Sequence, residues 1–99
     1  MHTLLGQCEG FDWDEDNTHK SERKHAVTWV ESEQIFFNKP LIISDDLAHG
    51  ENEDRFLALG RTDLNRKLFL VFTARKKLIR VISARDMTKH ERAHYETRH

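Results

Sequence analysis

The sequence is poor in several features, and each shortage excludes a class of protein. Its 99 residues include one cysteine, Cys8, so no disulfide can form within the chain and a reducing compartment is expected. No apolar run approaches the roughly 18 residues that a membrane-spanning helix requires. The N-terminus lacks the basic and long apolar segments of a signal peptide. We therefore expect a cytoplasmic protein with no membrane partner.

Glycine and cysteine are also too sparse for two common kinds of site. Gly60 stands alone, so there is no glycine-rich phosphate-binding loop, and Cys8 has no second cysteine beside it with which to bind a metal. The chain has no linker, repeat or low-complexity segment, so residues 1–99 are predicted to form one domain with one modest core. Residues 1–10 lack a clear period and are expected to be partly mobile. We predict no metal and no cofactor.

Charge, by contrast, is abundant and unevenly distributed. Residues 1–54 contain 13 acidic and 4 basic side chains, a net charge of −9, whereas residues 55–99 contain 4 acidic and 12 basic ones, a net charge of +8. Such a division suggests a basic surface for a polyanion and an acidic remainder that limits nonspecific binding. The alternative is that the two halves neutralise each other across the fold, and composition does not choose between them.

Hydrophobic periodicity predicts an α+β fold. Thr28 with Glu31, and Thr88 with Glu91, have the spacing of a capping box at the start of a helix. The segment after Pro40 alternates between short apolar runs and turn residues, as strands and turns do. The predicted order is β-α-α-β-β-β-β-α, with a surface loop at 44–54. The first predicted helix is capped by Asp14 and runs to about Lys24, the second begins at Thr28 and ends before Pro40, and the third runs from Thr88 to the C-terminus. The predicted strands are residues 11–13, 41–43, 55–61, 68–73 and 78–84.

The predicted strands form a small antiparallel sheet. Short turns join the last three of them, which favours a meander. The helices are expected to cover one face of this sheet, because their apolar stripes must be buried. Alternation along the last strand predicts that Ile79, Val81 and Ser83 point to one face, and Arg80 and Ile82 to the other.

One helical segment, His90-Glu91-Arg92-Ala93-His94, matches the H-E-x-x-H motif of zinc proteases. In that motif two histidines four residues apart bind zinc, and the glutamate activates a water molecule. The motif lies close to the C-terminal His99, so we expect no third ligand downstream of it, and so short a chain hardly builds a substrate cleft. Adventitious metal binding is a better interpretation of these histidines than catalysis.

Four arginines lie at or near strand ends: Arg61, Arg75, Arg80 and Arg85. Guanidinium groups make bidentate, permanently charged contacts with phosphate. Because neighbouring strands of a meander run in opposite directions, the four cannot all meet. Arg75 is expected near the opposite edge from Arg61, and Arg61 can approach Arg80 only if the register allows it. The alternative for each arginine is solvation or pairing with a carboxylate.

Acid–base groups accompany these arginines. Arg85 leads into the last helix, where Glu91 and Tyr95 are four residues apart and share a face. His25 is the acid–base candidate, because histidine has an ordinary pKa of about 6.5. Lys24 beside it adds a phosphate-binding cation. The alternatives are that Glu91 simply pairs with a nearby arginine and that Tyr95 anchors the helix on the core.

Three blocks of the sequence have the residue types and spacing of a known family. They are Phe11-Asp12-Trp13-Asp14 with Arg23-Lys24-His25-Ala26-Val27; the helix Trp29 to Phe37; and Arg55 to Arg61, Val71 to Arg75 and Arg80-Val81-Ile82-Ser83-Ala84-Arg85 with Glu91 and Tyr95. Together they span about residues 11–96. In this they resemble the BrnT toxins, the ribonuclease components of bacterial type II toxin–antitoxin systems, which have a RelE-like fold.

Four positions depart from the usual pattern of that family. Asn17 stands where the family usually has lysine, Ser21 where it often has asparagine, Glu22 where it often has leucine, and Ala26 where it usually has glycine. All four lie on the predicted first helix or its exit, and they bear on how basic that side of the site is. They motivate an alternative function, a catalytically degenerate module that binds its antitoxin without cleaving RNA.

The resemblance implies a metal-independent endoribonuclease that inhibits translation by cleaving RNA, through attack of a ribose 2′-hydroxyl on the adjacent phosphate. It also implies a BrnA-type antitoxin with a ribbon-helix-helix domain, expected in a heterotetramer, and contact with DNA only through that antitoxin. Taken with the arginine pattern, it leads us to predict His25, Arg80, Arg85, Glu91 and Tyr95 as catalytic residues, and Lys24, Arg61 and Arg75 as RNA-binding residues.

Overall fold

A computed structural model of the chain describes residues 6–46 and 55–97, and their fold is α+β, as predicted. The predicted mobile segment and surface loop therefore lie partly outside the described residues. The elements follow the chain in this order: strand β1 (Gly10–Phe11), helix α1 (Lys20–His25), helix α2 (Trp29–Gln34), a 3-10 helix (Ile35–Phe37), strands β2 (Ile42–Asp45), β3 (Phe56–Arg61), β4 (Lys67–Arg75) and β5 (Leu78–Asp86), and helix α3 (Lys89–Glu96).

The strands form one sheet in the spatial order β1-β5-β4-β3-β2. From β2 to β5 each strand is antiparallel to the next, so this part is the predicted meander. The prediction of a wholly antiparallel sheet is wrong for β1, which runs parallel to β5 with Gly10 beside Leu78. No hairpin fixes the direction of β1, because most of the chain separates it from its partner. The 3-10 helix is a further element that the predicted order lacks.

The first helix is shorter than predicted. Asp14 does not cap a helix, because residues 15–19 form turns and α1 begins only at Lys20. Aspartate, asparagine and threonine favour such turns, and this stretch has no apolar face to hold a helix against the sheet. Asn17 fixes the turn instead: its buried side-chain amide donates hydrogen bonds to the carbonyls of Asp12 and Val81, each at 3.0 Å.

Both predicted capping boxes are present. The hydroxyl of Thr28 accepts from the amide of Glu31, whose carboxylate accepts in return from the Thr28 amide. Thr88 and Glu91 make the same reciprocal pair at the start of α3. Each box satisfies amide groups that the first turn of a helix leaves without partners, so it fixes where the helix begins.

The core lies between the α1–α2 side of the molecule and one face of the sheet. Gly60 on β3 permits the close approach, because a Cβ atom there would lie 2.8 Å from the Cβ of Ile35. The buried core side chains are those of Val27, Ile35, Phe56, Ala58, Leu68, Leu70, Phe72, Ile79, Val81 and Ala84. Helix α3 makes ion pairs with Lys67 and Arg85, whose side chains point away from this core.

An extra residue in β5 changes which side chains share a face. Val71 of β4 pairs with Ser83, but the next residue, Phe72, pairs with Val81, so Ile82 has no partner of its own across the ladder. This β-bulge shifts the alternation of inward and outward side chains by one residue. The prediction that Ser83 shares a face with Val81 is therefore wrong.

Candidate functional site

Three strand ends bring basic side chains to one end of the sheet. Arg61, the last residue of β3, pairs with Lys67, the first of β4, and the next residue of β4 pairs with Asp86, the last of β5. Arg85 therefore lies at the same end as Arg61, as expected for alternate strands of a meander. We call this place, defined by Arg61, Lys67 and Arg85, the basic end of the sheet. Arg75 lies at the opposite end, where it pairs with Leu78.

The β-bulge places two of the predicted catalytic arginines on the same face. Arg80 pairs with Thr73 and Arg85 pairs with Phe69, and these two partners are four residues apart on β4. Without the extra residue in β5, an odd spacing of five would direct the two arginines to opposite faces. They nevertheless remain apart, because five residues of strand span about 16 Å.

At the basic end, Arg85 forms a bidentate ion pair with Glu91 of α3. The two guanidinium–carboxylate distances are 2.8 and 3.0 Å, and the guanidinium carbon lies 4.1 Å from the centre of the Phe69 ring. The hydrogen bond from Arg85 lowers the pKa of Glu91, and the same bond raises the pKa of Arg85. Glu91 also belongs to the α3 capping box. Its carboxylate therefore connects the start of α3 to the guanidinium of Arg85.

Near the other end of β5, Arg80 pairs with Asp14. The two contacts are 2.9 and 3.1 Å long, and Asp12 approaches the same guanidinium to 3.5 Å. The hydrogen bond from Arg80 lowers the pKa of Asp14. Arg80 does not converge with Arg61, because their β4 partners Thr73 and Lys67 are six residues, or about 20 Å, apart.

Arg66 is a central residue of the basic end that the sequence analysis did not single out. Its guanidinium binds the carboxylate of Asp86 at 2.7 and 3.1 Å and the carboxylate of Glu31 at 3.1 and 3.2 Å. It also donates to the backbone carbonyls of Ala26 at 2.8 Å and His25 at 3.4 Å. The hydrogen bond to Asp86 is the largest cause of the raised pKa of Arg66. No local pattern marks this residue, because its partners lie 20 to 41 positions away in the chain.

His25 ends α1 with an exposed side chain, next to the equally exposed Lys24. The Arg66 guanidinium holds the backbone at this helix end. A charge on His25 contributes to the lowered pKa of Asp86, although the hydrogen bond from Arg66 is the main cause. His25 therefore lies within electrostatic reach of the end of β5, one residue beyond Arg85.

Two of the four departures from the family pattern have a structural role. The amide of Asn17 binds two backbone carbonyls, and the hydroxyl of Ser21 accepts a 2.8 Å hydrogen bond from the backbone amide of Ala84 in β5. Glu22 pairs with His19 at the surface. Ala26 has a φ angle of 56°, the left-handed conformation that favours glycine at the end of a helix. None of the four forms a hydrogen bond or an ion pair with Arg85 or Glu91.

Tyr95 and Arg61 both bind the segment that leads into β2. The Tyr95 side chain is buried, and its hydroxyl donates a 2.6 Å hydrogen bond to the carbonyl of Pro40. Burial raises the pKa of this hydroxyl. The Nε atom of Arg61 donates to the carbonyl of Lys39 at 2.7 Å. Tyr95 thus has the contacts of the helix anchor that the sequence left open as an alternative.

The H-E-x-x-H motif lies on α3 with both histidines, His90 and His94, exposed. Its glutamate, Glu91, is already bound to Arg85 and to the capping-box amide. Across residues 6–46 and 55–97, no three His, Cys, Asp or Glu side chains are grouped so as to hold a metal ion. Nor does any helix in these ranges have the length and apolarity to cross a membrane.

The comparisons with known proteins give one family. Residues 13–91 match a family model described as the ribonuclease toxin, BrnT, of a type II toxin–antitoxin system. This range includes His25, Arg66, Arg80, Arg85 and Glu91. It ends before the position of the buried tyrosine on α3. No curated protein matches the sequence.

Proposed function

The chain belongs to the BrnT family of ribonuclease toxins of type II toxin–antitoxin systems, and we propose that it is an endoribonuclease that needs no metal ion and whose active site is the basic end of the sheet. The observation that carries this proposal is the bidentate Arg85–Glu91 pair at the end of β5, where Arg66 binds both Asp86 and the backbone carbonyl of His25. A guanidinium that binds a carboxylate through two parallel hydrogen bonds is arranged to bind a phosphate in the same way. The exposed side chain of His25 supplies an imidazole that can act as a general base or acid.

The proposed reaction is a transfer of the phosphoryl group within the RNA. The ribose 2′-oxygen attacks the adjacent phosphorus and loses its proton to a base, while the bond from phosphorus to the 5′-oxygen breaks. An acid protonates that leaving oxygen, so the products carry a 2′,3′-cyclic phosphate and a 5′-hydroxyl. Arg85 would bind the phosphate and stabilise the negative charge that develops on it. In this proposed mechanism, the protein positions the phosphate and stabilises its charge without a bound metal ion.

The two acid–base roles fall to His25 and Glu91. When a phosphate replaces Glu91 on the guanidinium of Arg85, the released carboxylate is close to the substrate and ionised. His25 lies on the other side of the end of β5. A base and an acid on opposite sides of the phosphate suit a displacement in which the attacking and leaving oxygens are in line.

The remaining predicted site residues divide by position. Arg61 lies at the basic end, and Lys24 precedes His25, whose backbone carbonyl Arg66 binds; both would bind neighbouring phosphates. Arg75 lies at the opposite end of the sheet. It would contact the RNA only if the bound RNA extended across the whole sheet. For its predicted catalytic role, Arg80 would have to break its ion pair with Asp14. Tyr95 would have to break the hydrogen bond from its hydroxyl to the Pro40 carbonyl.

The proposed biological setting is the bacterial cytoplasm, where RNA cleavage would inhibit translation. The neutralising partner would be a BrnA-type antitoxin with a ribbon-helix-helix domain. A dimer of that domain would bind two toxins in a heterotetramer. Contact with DNA would then occur through the antitoxin alone.

Cleavage of a labelled RNA by the purified protein in the presence of EDTA tests the reaction. We expect cleavage that leaves a cyclic phosphate, its loss in His25→Ala, and its retention in His90→Ala, a matched exchange of another exposed histidine. If EDTA abolished cleavage and His90→Ala removed it, the zinc interpretation of α3 would replace this proposal.

A second candidate function is an antitoxin-binding module that has lost catalysis. It is favoured by one observation: Arg80 and Arg85, the two arginines predicted to act on the phosphate, are both neutralised by carboxylates. Under this alternative, the protein binds its partner normally but cleaves none of a broad set of RNAs, and its expression alone does not arrest growth.

A further inference from the structure

An aromatic ring lies directly against the arginine of the proposed active site. The guanidinium carbon of Arg85 lies over the ring of Phe69, 4.1 Å from the centre of that ring. This distance is well inside the roughly 6 Å within which a cation is attracted to the face of an aromatic ring. The proposed reaction gives Phe69 no role, although the ring touches the group that would bind the phosphate.

Strand pairing places this ring beside Arg85. Phe69 of β4 is the direct partner of Arg85 in β5, and Leu59 of β3 is its partner on the other side. Directly paired residues of neighbouring strands point to the same face of a sheet, with Cβ atoms about 5 Å apart. The ring is half-buried, and it belongs to the middle strand of the sheet, so a well-supported element fixes its position.

The ring and the carboxylate hold Arg85 in different ways. The N–H groups of a guanidinium lie in its plane. They donate two hydrogen bonds to the carboxylate of Glu91, at 2.8 and 3.0 Å, and one to the backbone carbonyl of Asp86 at 3.0 Å. The ring lies over the guanidinium carbon and uses none of these donors. A phosphate can therefore replace Glu91 on the N–H groups while the contact with the ring persists.

Release of Glu91 would leave Arg85 with few restraints. Of the described contacts, the hydrogen bond to the Asp86 carbonyl and the ring of Phe69 would remain. A long side chain that can rotate loses conformational entropy when it binds a phosphate, and this loss weakens binding. The ring restricts the rotation beforehand, and it adds no negative charge that would repel the phosphate.

Arg80 lacks such a support. Within residues 6–46 and 55–97, the contacts of its guanidinium are with carboxylates, that of Asp14 at 2.9 and 3.1 Å and that of Asp12 at 3.5 Å. If a phosphate displaced these carboxylates, no aromatic ring of the described residues would hold the guanidinium in place. The ring therefore distinguishes the arginine of the basic end from the other arginine of β5.

We propose that Phe69 is a positioning residue for RNA cleavage: its ring keeps the guanidinium of Arg85 in the orientation that binds the phosphate after Glu91 is displaced. This inference rests on the proposed function, because it requires that Arg85 bind a phosphate of the RNA. The ring acts through Arg85 and takes no part in bond making or breaking. Its negatively polarised face is the property that matters.

Substitutions at Phe69 test the proposal in single-turnover cleavage at saturating protein concentration. Phe69→Leu keeps an apolar side chain without a ring, and it should lower the cleavage rate about fivefold or more. Phe69→Tyr keeps the ring and should retain nearly the wild-type rate. Val71→Ala is the matched control and should leave the rate unchanged. Val71 is the next side chain of β4 on the same face, but it pairs with Ser83 and not with Arg85.

Fluorinated phenylalanines at position 69 separate the charge distribution of the ring from its packing. Each added fluorine withdraws electrons from the face of the ring and changes its size little. The cleavage rate should fall from phenylalanine to its monofluoro, difluoro and pentafluoro forms, because the attraction for the guanidinium weakens. A ring that only fills space would give equal rates. These forms and Phe69→Tyr also keep the test valid if Phe69→Leu does not fold.

Binding of a short 2′-O-methyl RNA distinguishes failure of this inference from failure of the proposed function. This RNA lacks the attacking hydroxyl, so it can bind without being cleaved. In NMR spectra, adding it should move the side-chain Nε–H signal of Arg85, and Phe69→Leu should weaken its binding several-fold. If the wild type cleaves no RNA, the enzymatic proposal fails, and weaker binding by Phe69→Leu still supports the positioning of Arg85 by the ring.

Four results would overturn the proposal. They are a wild-type cleavage rate in Phe69→Leu, equal losses in Phe69→Leu and Val71→Ala, equal losses in Phe69→Leu and Phe69→Tyr, and a cleavage rate that does not change with fluorination. An Arg85 signal that the RNA does not move would overturn this inference and the proposed function together.

Discussion

Strand β5 carries the same kind of ion pair in two different settings. Arg85 pairs with Glu91, six residues away, whereas Arg80 pairs with Asp14, 66 residues away. In the first pair the exposed fractions of the two side chains are 34% and 22%. In the second, the arginine is only 14% exposed and its aspartate 51% exposed. The pairs thus differ in the length of chain that they connect.

This difference indicates which arginine can exchange its carboxylate for a phosphate. If Arg85 releases Glu91, the helix start keeps its capping-box hydroxyl and α3 keeps its buried tyrosine. If Arg80 releases Asp14, the N-terminal segment loses one of its ties to the sheet. Under the proposed function, Arg85 would exchange its carboxylate for a phosphate, whereas Arg80 attaches a distant segment of the chain to the sheet.

The largest effect should come from replacing the two arginines in turn. We expect Arg85→Ala to lower the rate of RNA cleavage about 100-fold or more, because it removes a charge that stabilises the transition state. Arg80→Ala should lower the rate less and should instead lower the free energy of unfolding. Single-turnover cleavage and urea unfolding of both variants measure these effects.

Arg85→Lys completes this comparison, because it keeps the charge but loses the bidentate geometry. It should fall between the wild type and Arg85→Ala in cleavage rate. Equal rate losses in Arg80→Ala and Arg85→Ala, with both proteins folded, would mean that the two arginines act on the same substrate and that the division above is wrong.

The next largest effect concerns the support of the basic end. Arg66→Ala should lower the free energy of unfolding by about 2 kcal/mol, because it leaves the carboxylates of Glu31 and Asp86 without their guanidinium partner. This figure is below the cost for a fully buried pair, since water can reach the site. Arg23→Ala, at the exposed surface of α1, is the control and should change the free energy by less than about 0.5 kcal/mol.

Arg66 also shows what the sequence could and could not predict. Capping boxes at Thr28 and Thr88 and the apolar run of β4 depend on neighbouring residues, so they were predictable. The Arg66 contacts, the parallel pairing of β1 and the bulge at Ile82 depend on residues far apart in the chain. The match to the family supports the assignment as a ribonuclease toxin. It could not show that Asp14 binds Arg80 instead of capping a helix.

A smaller effect of opposite sign is expected at the helix end beside His25. Ala26→Gly should raise the free energy of unfolding by about 0.5–1 kcal/mol, because glycine adopts the left-handed conformation at this position without strain. If the departure at Ala26 is only conformational, the cleavage rate should stay unchanged. A large rate increase in Ala26→Gly would show instead that this residue limits the activity of the basic end.

The last prediction compares the two carboxylates at low pH. The pKa of Glu91 lies below its ordinary value of 4.5 in the folded protein, so its contribution to stability is complete above about pH 4.5 and disappears as the pH falls through the folded pKa. Glu91→Gln should therefore lower stability by about 0.5–1 kcal/mol at neutral pH, and the difference from the wild type should shrink below pH 4.5.

Asp14→Asn should show the same direction, and its difference from the wild type should begin to shrink only below about pH 3.8, because that is the ordinary pKa of the aspartate and the folded protein lowers it. Urea unfolding at a series of pH values gives both curves. A Glu91→Gln difference that is independent of pH would mean that the glutamate acts through its capping-box hydrogen bonds and not through its charge. The Arg85–Glu91 ion pair would then contribute little to stability, and Arg85 would release Glu91 to a phosphate at little cost.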